Sequence, residues 1–219
     1  YSKIGDYVQF DKTLEELNNL TSLHTGSERI KLHIDFLKFI KRSELDQNID
    51  PDDLYRVASE YLSQEERINY FETISLLVNY YLQHGESTKA FDLLSNKRFI
   101  ETCNSNIYFE IENLYLIGKT ASENPTLYPE DPIFYFSEVY NLMSDLNVNE
   151  TTYKIIFELA RYYFERGNVL KAKDYASYGR SLINLMADQF KDERLKDIYL
   201  NSSYRKSAWE KFTEILSVD

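Results

Sequence analysis

Two stretches of this chain repeat one skeleton, and that repeat constrains the fold more than any other feature. Phe71 to Lys97 reads FETISLLVNYYLQHGESTKAFDLLSNK, and Tyr153 to Gly179 reads YKIIFELARYYFERGNVLKAKDYASYG. Aligned on Gly85 and Gly167, both place Leu at the seventh position (Leu77, Leu159), Tyr at the eleventh (Tyr81, Tyr163) and Ala at the twentieth (Ala90, Ala172). Apolar spacing of three and four on either side of a glycine describes two amphipathic helices joined by a tight turn. The interval between the copies leaves room for one degenerate unit. A repeat of this length implies a stack of helix pairs, in which each pair buries its apolar face against its neighbours.

The rest of the chain carries the same helical period. Apolar residues predict helices over Asp11–Leu23 and Ser27–Arg42, with a break at Thr25-Gly26-Ser27. Asp50-Pro51 opens a helix to about Leu62, with Asp50 as cap and Pro51 in the first turn. Ser63 and Glu66 have the spacing of a capping box, which predicts a helix from Gln64 to about His84. Further helices are expected over Ser87–Lys97, Ile107–Ser122, Pro132–Leu146, from Asn149 or Thr151 to Arg166, and over Val169–Asp188. Two more, Asp192–Leu200 and Ser203–Leu216, close the series. Asn124 to Pro132 holds three of the four prolines and reads as an ordered bend inside the array. No segment alternates with period two, so the expected class is all-α: a right-handed array of antiparallel helix pairs forming one domain over residues 1–219.

Charge and residue usage exclude several functions. The net charge is −11, which disfavours phosphate contacts with nucleic acid and attraction to an anionic membrane surface. No run of apolar residues is long enough to span a bilayer. Asp6, Asp11, Glu15 and Glu16 stand where a secretory signal would need an apolar core. The single cysteine, Cys103, allows no internal disulfide, and a cytoplasmic setting is expected. The chain opens on Tyr1 and its only methionines are Met143 and Met186, so a further domain upstream is expected. The 19 Tyr and 13 Phe are read first as packing between helices, with some free to line a groove.

Catalytic and metal chemistry finds no foothold. His24, His33 and His84 lack the spacing of a helical zinc site, and no phosphate-cradling or nucleophile-elbow motif occurs. Cys103 has no basic neighbour in sequence to activate it. No enzyme activity, metal or cofactor is expected.

The skeleton resembles that of tetratricopeptide proteins over Phe71–Lys97 and Tyr153–Leu182. It departs from the usual motif at Val78, where a small residue is expected, and at Asn184, where proline is. In that family the first helix of each pair lines a concave groove with its second, fifth, sixth, ninth, twelfth and thirteenth positions. By that resemblance the first copy offers Glu72, Ser75, Leu76, Asn79, Leu82 and Gln83, of which Ser75, Asn79 and Gln83 are the peptide-binding candidates. The second offers Lys154, Phe157, Glu158, Arg161 and Phe164, with Glu165 beside them. Asn79 and Arg161 share the ninth position. An Asn amide can bond a peptide's N–H and C=O together, and an Arg can clamp a carboxylate through two parallel bonds. Both are expected to lie on one concave face and contribute to ligand binding, so that truncation would weaken binding and leave the thermal midpoint near wild type; solvated polar residues on amphipathic helices are the competing reading.

The segment YLSQEERINYFETISLLVNYY (Tyr61 to Tyr81) with FDLLSNK after it is similar to the central helices of Rgg-type regulators. The ending DIYLNSSYRKSAWEKFTEIL (Asp197 to Leu216) resembles the broader group that includes PlcR-like proteins. These are cytoplasmic quorum-sensing transcription factors with an N-terminal DNA-binding domain followed by a helical-repeat domain that binds a short peptide and dimerises. The resemblance implies a peptide-sensing, homodimerising domain that reaches DNA only through a domain upstream. A stand-alone adaptor or scaffold binding a protein partner is the alternative. For the dimer, the last helix supplies Trp209, Phe212 and Leu216 as candidate seam residues. Capping of the preceding pair within one chain is the competing reading of that helix.

Overall fold

The computed structural model describes residues 6–22, 28–45, 47–143 and 150–218. Among them there is no strand, and the protein is all-α. The expected break at Thr25-Gly26-Ser27, the end at Leu146 and the start at Asn149 lie outside the described residues. One repeat domain is the expectation from sequence; the contacts gather the chain into two compact units, Tyr1–Phe109 and Glu110–Asp219.

The first unit holds α1 (Tyr7–Ser22), α2 (Glu28–Glu44), α3 (Pro51–Ser63), α4 (Arg67–Gln83), α5 (Ser87–Leu94) and α6 (Lys97–Cys103). Helix α1 begins at Tyr7 rather than Asp11, because buried Asp6 accepts from Gln9 N at 3.3 Å and caps it. Its Phe10 and Leu14 pack with Ile34 of α2. Asp50 caps α3 as expected, accepting from Asp52 N at 2.9 Å. The capping box at Ser63 and Glu66 does not form. The Ser63 hydroxyl donates to Glu60 O instead, closing α3, and Glu66 makes no side-chain cap, so α4 starts at Arg67. Helix α6 escaped the sequence reading, although Asn96 caps it by accepting from Arg98 N at 2.9 Å.

The core of this unit is rich in aromatic rings. Phe71 lies between Phe99, with centroids 5.5 Å apart, and Phe109, at 4.2 Å, both rings near parallel to it. Tyr70 meets Phe99 edge-on. Cys103 is buried, and burial pushes its thiol up to about 12, which leaves it protonated and structural.

The second unit holds most of α7 (Ile107–Glu123), then α8 (Pro132–Met143), α9 (Glu150–Glu165), α10 (Val169–Ala187), α11 (Glu193–Leu200) and α12 (Ser203–Ser217). Helix α9 packs on α8 and α10, and α12 closes over α10. Two glycines make this packing close. A Cβ at Gly118 would stand 2.6 Å from the Phe136 ring, and one at Gly179 would stand 2.4 Å from Phe212. Arg205 ties α11 to α12: it is buried, donates to Ser202 Oγ at 2.6 Å and lies 3.9 Å from the centroid of the Tyr199 ring.

One turn recurs three times. Gly85 and Gly167 have φ of 71° and 74°, the left-handed region where a side chain is strained, and Glu65 has φ of 60° in the same role. In each turn a tyrosine carbonyl four residues earlier accepts from the amide that follows: Tyr61 from Glu66 (2.9 Å), Tyr81 from Glu86 (2.8 Å) and Tyr163 from Asn168 (2.9 Å). The α3–α4 junction is therefore a third copy of the turn, with Glu65 in place of glycine. Val57, Leu77 and Leu159 occupy the matching position before it, and all three are buried.

Candidate functional site

The second repeat copy places its candidate residues on one side of α9. Lys154, Phe157, Glu158, Arg161 and Glu165 recur at helical spacing, so they share a face. Tyr115 and Lys119 of α7 and Tyr204 of α12 meet that face. Lys154 Nζ lies 5.5 Å from the centroid of the Tyr204 ring. Phe157 meets Tyr204 and Phe212 edge-on, at 6.1 and 5.8 Å. Lys211 Nζ sits 5.0 Å from the Phe164 ring centroid. The phenols of Tyr115 and Tyr204 are hydrogen-bonded to each other.

The electrostatics of this face are those of a desolvated site. Glu158 is 5% exposed, and burial holds its carboxyl above the ordinary carboxylate value despite Arg161 and Lys119 pulling it down. Arg161 Nη2 stands 2.9 Å from Glu158 Oε2 and Arg161 Nε 3.9 Å from Glu165. Burial lowers the Arg161 guanidinium, but the two carboxylates more than offset it. Burial also lowers the Lys119 ammonium. Tyr204 is still 39% exposed, yet burial first and the Glu158 charge second push its phenol well up.

Beside this face a cavity of about 470 Å³ opens between the end of α7, the loop over 124–131, the start of α8 and the last turns of α9. Its volume falls within the range typical of ligand sites. The loop is stiffened at both ends. Asn124 accepts from Thr126 N at 3.3 Å to cap a short 3-10 turn at Pro125–Leu127, and Asp131 accepts from Ile133 N at 3.0 Å to cap α8. Tyr128 packs edge-on against Tyr135. Arg166 reaches from the end of α9 to Asp131, 3.6 Å away, with its guanidinium 3.7 Å from the centroid of the Tyr162 ring.

The structure brings together part of the candidate set. Glu158 and Arg161 line the cavity, and Lys154 and Phe157 share their helix face, with Phe164 half-buried under Lys211. The clamp assigned to Arg161 is corrected, because its guanidinium already serves two carboxylates of its own helix. In the first unit Ser75 is buried, which removes it from an open surface. The Asn79 amide donates to Ser75 O at 2.9 Å, so it too is engaged on its own helix, while Gln83 is exposed. The proposed seam is corrected at Phe212, which is fully buried over Gly179 and against Phe157; Ala208 and Ile215 are buried with it, so this stripe caps the chain's own helices. Trp209 is half-buried beneath Arg180, whose guanidinium lies 4.4 Å from the ring centroid, and Leu216 is half-buried.

Tyr115, Lys119, Tyr204 and the cavity wall at Tyr128 were missed. The available signal was the three-proline bend, whose stiffness suits a wall better than a connector. His33 Nδ1 sits 3.2 Å from the Tyr61 hydroxyl and His84 donates to Tyr80 O at 2.8 Å, both local packing contacts. No cluster of described residues has a metal-ligating arrangement, and no helix among them is long and apolar enough to cross a membrane. Comparison with protein-family models, curated proteins and solved structures finds no match to this chain.

Proposed function

We propose that this chain is a peptide-binding domain of tetratricopeptide-like helix pairs, and that the face formed by α7, α9 and α12 with its adjoining cavity is where the peptide lies. The observation that carries the reading is the cavity of about 470 Å³ bordered by Glu158 and Arg161, two positions at which tetratricopeptide first helices meet their ligands. Lys154, Phe157 and Tyr204 extend the surface with rings and one cation, the mixture of contact area and polar anchors that peptide recognition uses. By the resemblance to Rgg and PlcR-like regulators, the domain is the sensor half of a cytoplasmic homodimeric transcription factor. Its peptide would act by favouring one of two arrangements, through a difference in affinity for them.

Panning a random heptapeptide library on the immobilised chain, followed by calorimetry of the enriched peptides, tests the binding reading. The expected result is enriched peptides whose affinity falls about tenfold, ~1.4 kcal/mol, in Lys154→Ala and Tyr204→Ala. Failure to enrich any peptide above bare support, or unchanged affinity in both variants, sinks it. Light scattering at micromolar concentration tests the dimer, and a monomer removes that part. A helix-turn-helix domain encoded upstream of Tyr1 supports the regulator; an upstream domain of another kind favours the adaptor.

A further inference from the structure

In the first unit a small groove of about 90 Å³ opens between α3, α4, the end of α5 and the start of α6. Buried Tyr70 and Ile74 of α4 form its floor, and Leu62 and Leu93 stand on either side. Its rim carries Tyr55, Asn96 and Arg98, all exposed. No Asp or Glu is among the described residues that line it, in a chain of net charge −11. Tyr70 is 5% exposed, and its hydroxyl makes no hydrogen bond with any described residue. That oxygen is not sealed off from solvent, and its residue lines the groove. Burial pushes the Tyr70 phenol up to about 12; the Tyr55 phenol and the Cys103 thiol add to that and the Arg98 guanidinium opposes it, with no carboxylate among the charges that bear on it. The Arg98 guanidinium makes no ion pair and no hydrogen bond with a described residue. Asn96 spends its Oδ1 on capping α6, which leaves its amide N–H groups open. A buried hydroxyl without a partner is costly, so a phenol, an amide and a guanidinium left open at one groove mark where an acceptor belongs.

We propose that this groove binds a carboxylate carried on a short apolar stem. The carboxylate accepts from the Arg98 guanidinium at the rim and from the Tyr70 hydroxyl on the floor, with the Asn96 amide as a third donor. The stem lies against Leu62, Ile74 and Leu93. The volume corresponds to about three waters, which fits a head group on a few carbons and excludes a fused ring system. A cation would find no acid among the lining residues, and a bare phosphate would leave the apolar walls unused. A free short-chain acid and the C-terminal residue of a peptide end in the same group, and either can supply it. The site belongs to the first unit and stands apart from the peptide reading of α7, α9 and α12.

Amide 1H–15N spectra of the full chain test it while isovalerate, N-acetyl-leucine, isovaleramide and inorganic phosphate are titrated separately. The expected result is saturable shifts for the two carboxylates over residues 55–62, 70–74 and 93–98. The amide and phosphate should bind about tenfold more weakly, since one lacks the charge and the other the stem. Tighter binding of N-acetyl-leucine than of isovalerate assigns the site to a peptide end, and the reverse assigns it to a free acid. Arg98→Gln and Tyr70→Phe should each raise the dissociation constant of the tighter carboxylate about fivefold. Arg98 is exposed and Tyr70→Phe keeps the ring that meets Phe99, so both variants keep their fold, which the dispersion of their own spectra checks. Without ligand, Tyr70→Phe should unfold at the denaturant concentration of wild type or above it, because its hydroxyl has no partner to lose. Absence of saturable shifts for both carboxylates, amide or phosphate binding as tightly, unchanged affinity in either variant, or a Tyr70→Phe chain less stable than wild type would each overturn the proposal.

Discussion

The two repeat copies bury the same skeleton and end in the same turn, yet the helices they build present different surfaces. In α4 two of the three peptide-binding candidates are taken up by the protein itself: Ser75 is buried and Asn79 bonds its own backbone, while Gln83 stays exposed. In α9 the equivalent positions hold a buried acid and its guanidinium beside an open cavity. The residues shared by the copies specify a helix pair and nothing more. The copies differ at the positions between those shared residues, and the peptide site proposed above lies in the second unit.

The comparison breaks first if the two cores are not equally essential. Phe99 and Phe212 are both fully buried, and either one changed to Ala should cost about 3–5 kcal/mol in denaturant unfolding. A loss below about 1 kcal/mol for Phe212→Ala would mean that α12 is not part of the core. The face residues should then separate the copies. Arg161→Ala strands the buried Glu158 carboxylate and should cost about 1–3 kcal/mol, held below the range of a fully buried pair because the guanidinium is partly exposed. Asn79→Ala removes one local hydrogen bond and should cost about 0.5–1.5 kcal/mol. Equal melting temperatures for wild type and Arg161→Ala would remove the ion pair from the account of stability.

The shared turn is the next test. Gly85→Ala and Gly167→Ala should each cost about 1–2 kcal/mol, since nothing but backbone strain opposes the added carbon. Glu65→Gly should instead stabilise by a few tenths to about 1 kcal/mol, strain relief exceeding the entropy that glycine adds to the unfolded chain. The smallest effect is a pH dependence. The native Glu158 carboxyl holds its proton more tightly than the unfolded one, so its contribution to stability is present below the ordinary value of 4.5 and is lost as pH rises through the raised native value. Glu158→Gln, neutral throughout, should flatten the stability profile across that interval. Parallel profiles for the two proteins would show that the carboxyl titrates as an ordinary one.

What sequence could reveal followed from what repeats and what caps. The helix pairs at Gly85 and Gly167, the starts at Asp50-Pro51 and Asp131-Pro132 and the all-α class follow from short-range signals that the structure obeys. The third turn was hidden because Glu65 adopts a conformation expected of glycine, and Ser63-Glu66 mimicked a cap while ending the previous helix. Helix α6 was too short for its period to register. At the site, α9 itself declared Glu158 and Arg161, but their engagement with each other, and the approach of Tyr115, Lys119 and Tyr204 from other helices, depends on packing that no local pattern encodes. Phe212 was misassigned for the same reason, since an apolar stripe does not say which surface it covers.

The recurring turn also bears on the order of events when the chain is made. A tyrosine carbonyl that captures an amide only a few residues ahead lets each helix pair close from residues that are neighbours in sequence, with little loop entropy to overcome. Chains dominated by such local closures fold fast, and they can do so from the N-terminus while the remainder is still emerging from the ribosome. On that basis the first unit can be complete before α9 exists, and the surface proposed for a peptide ligand is built after it.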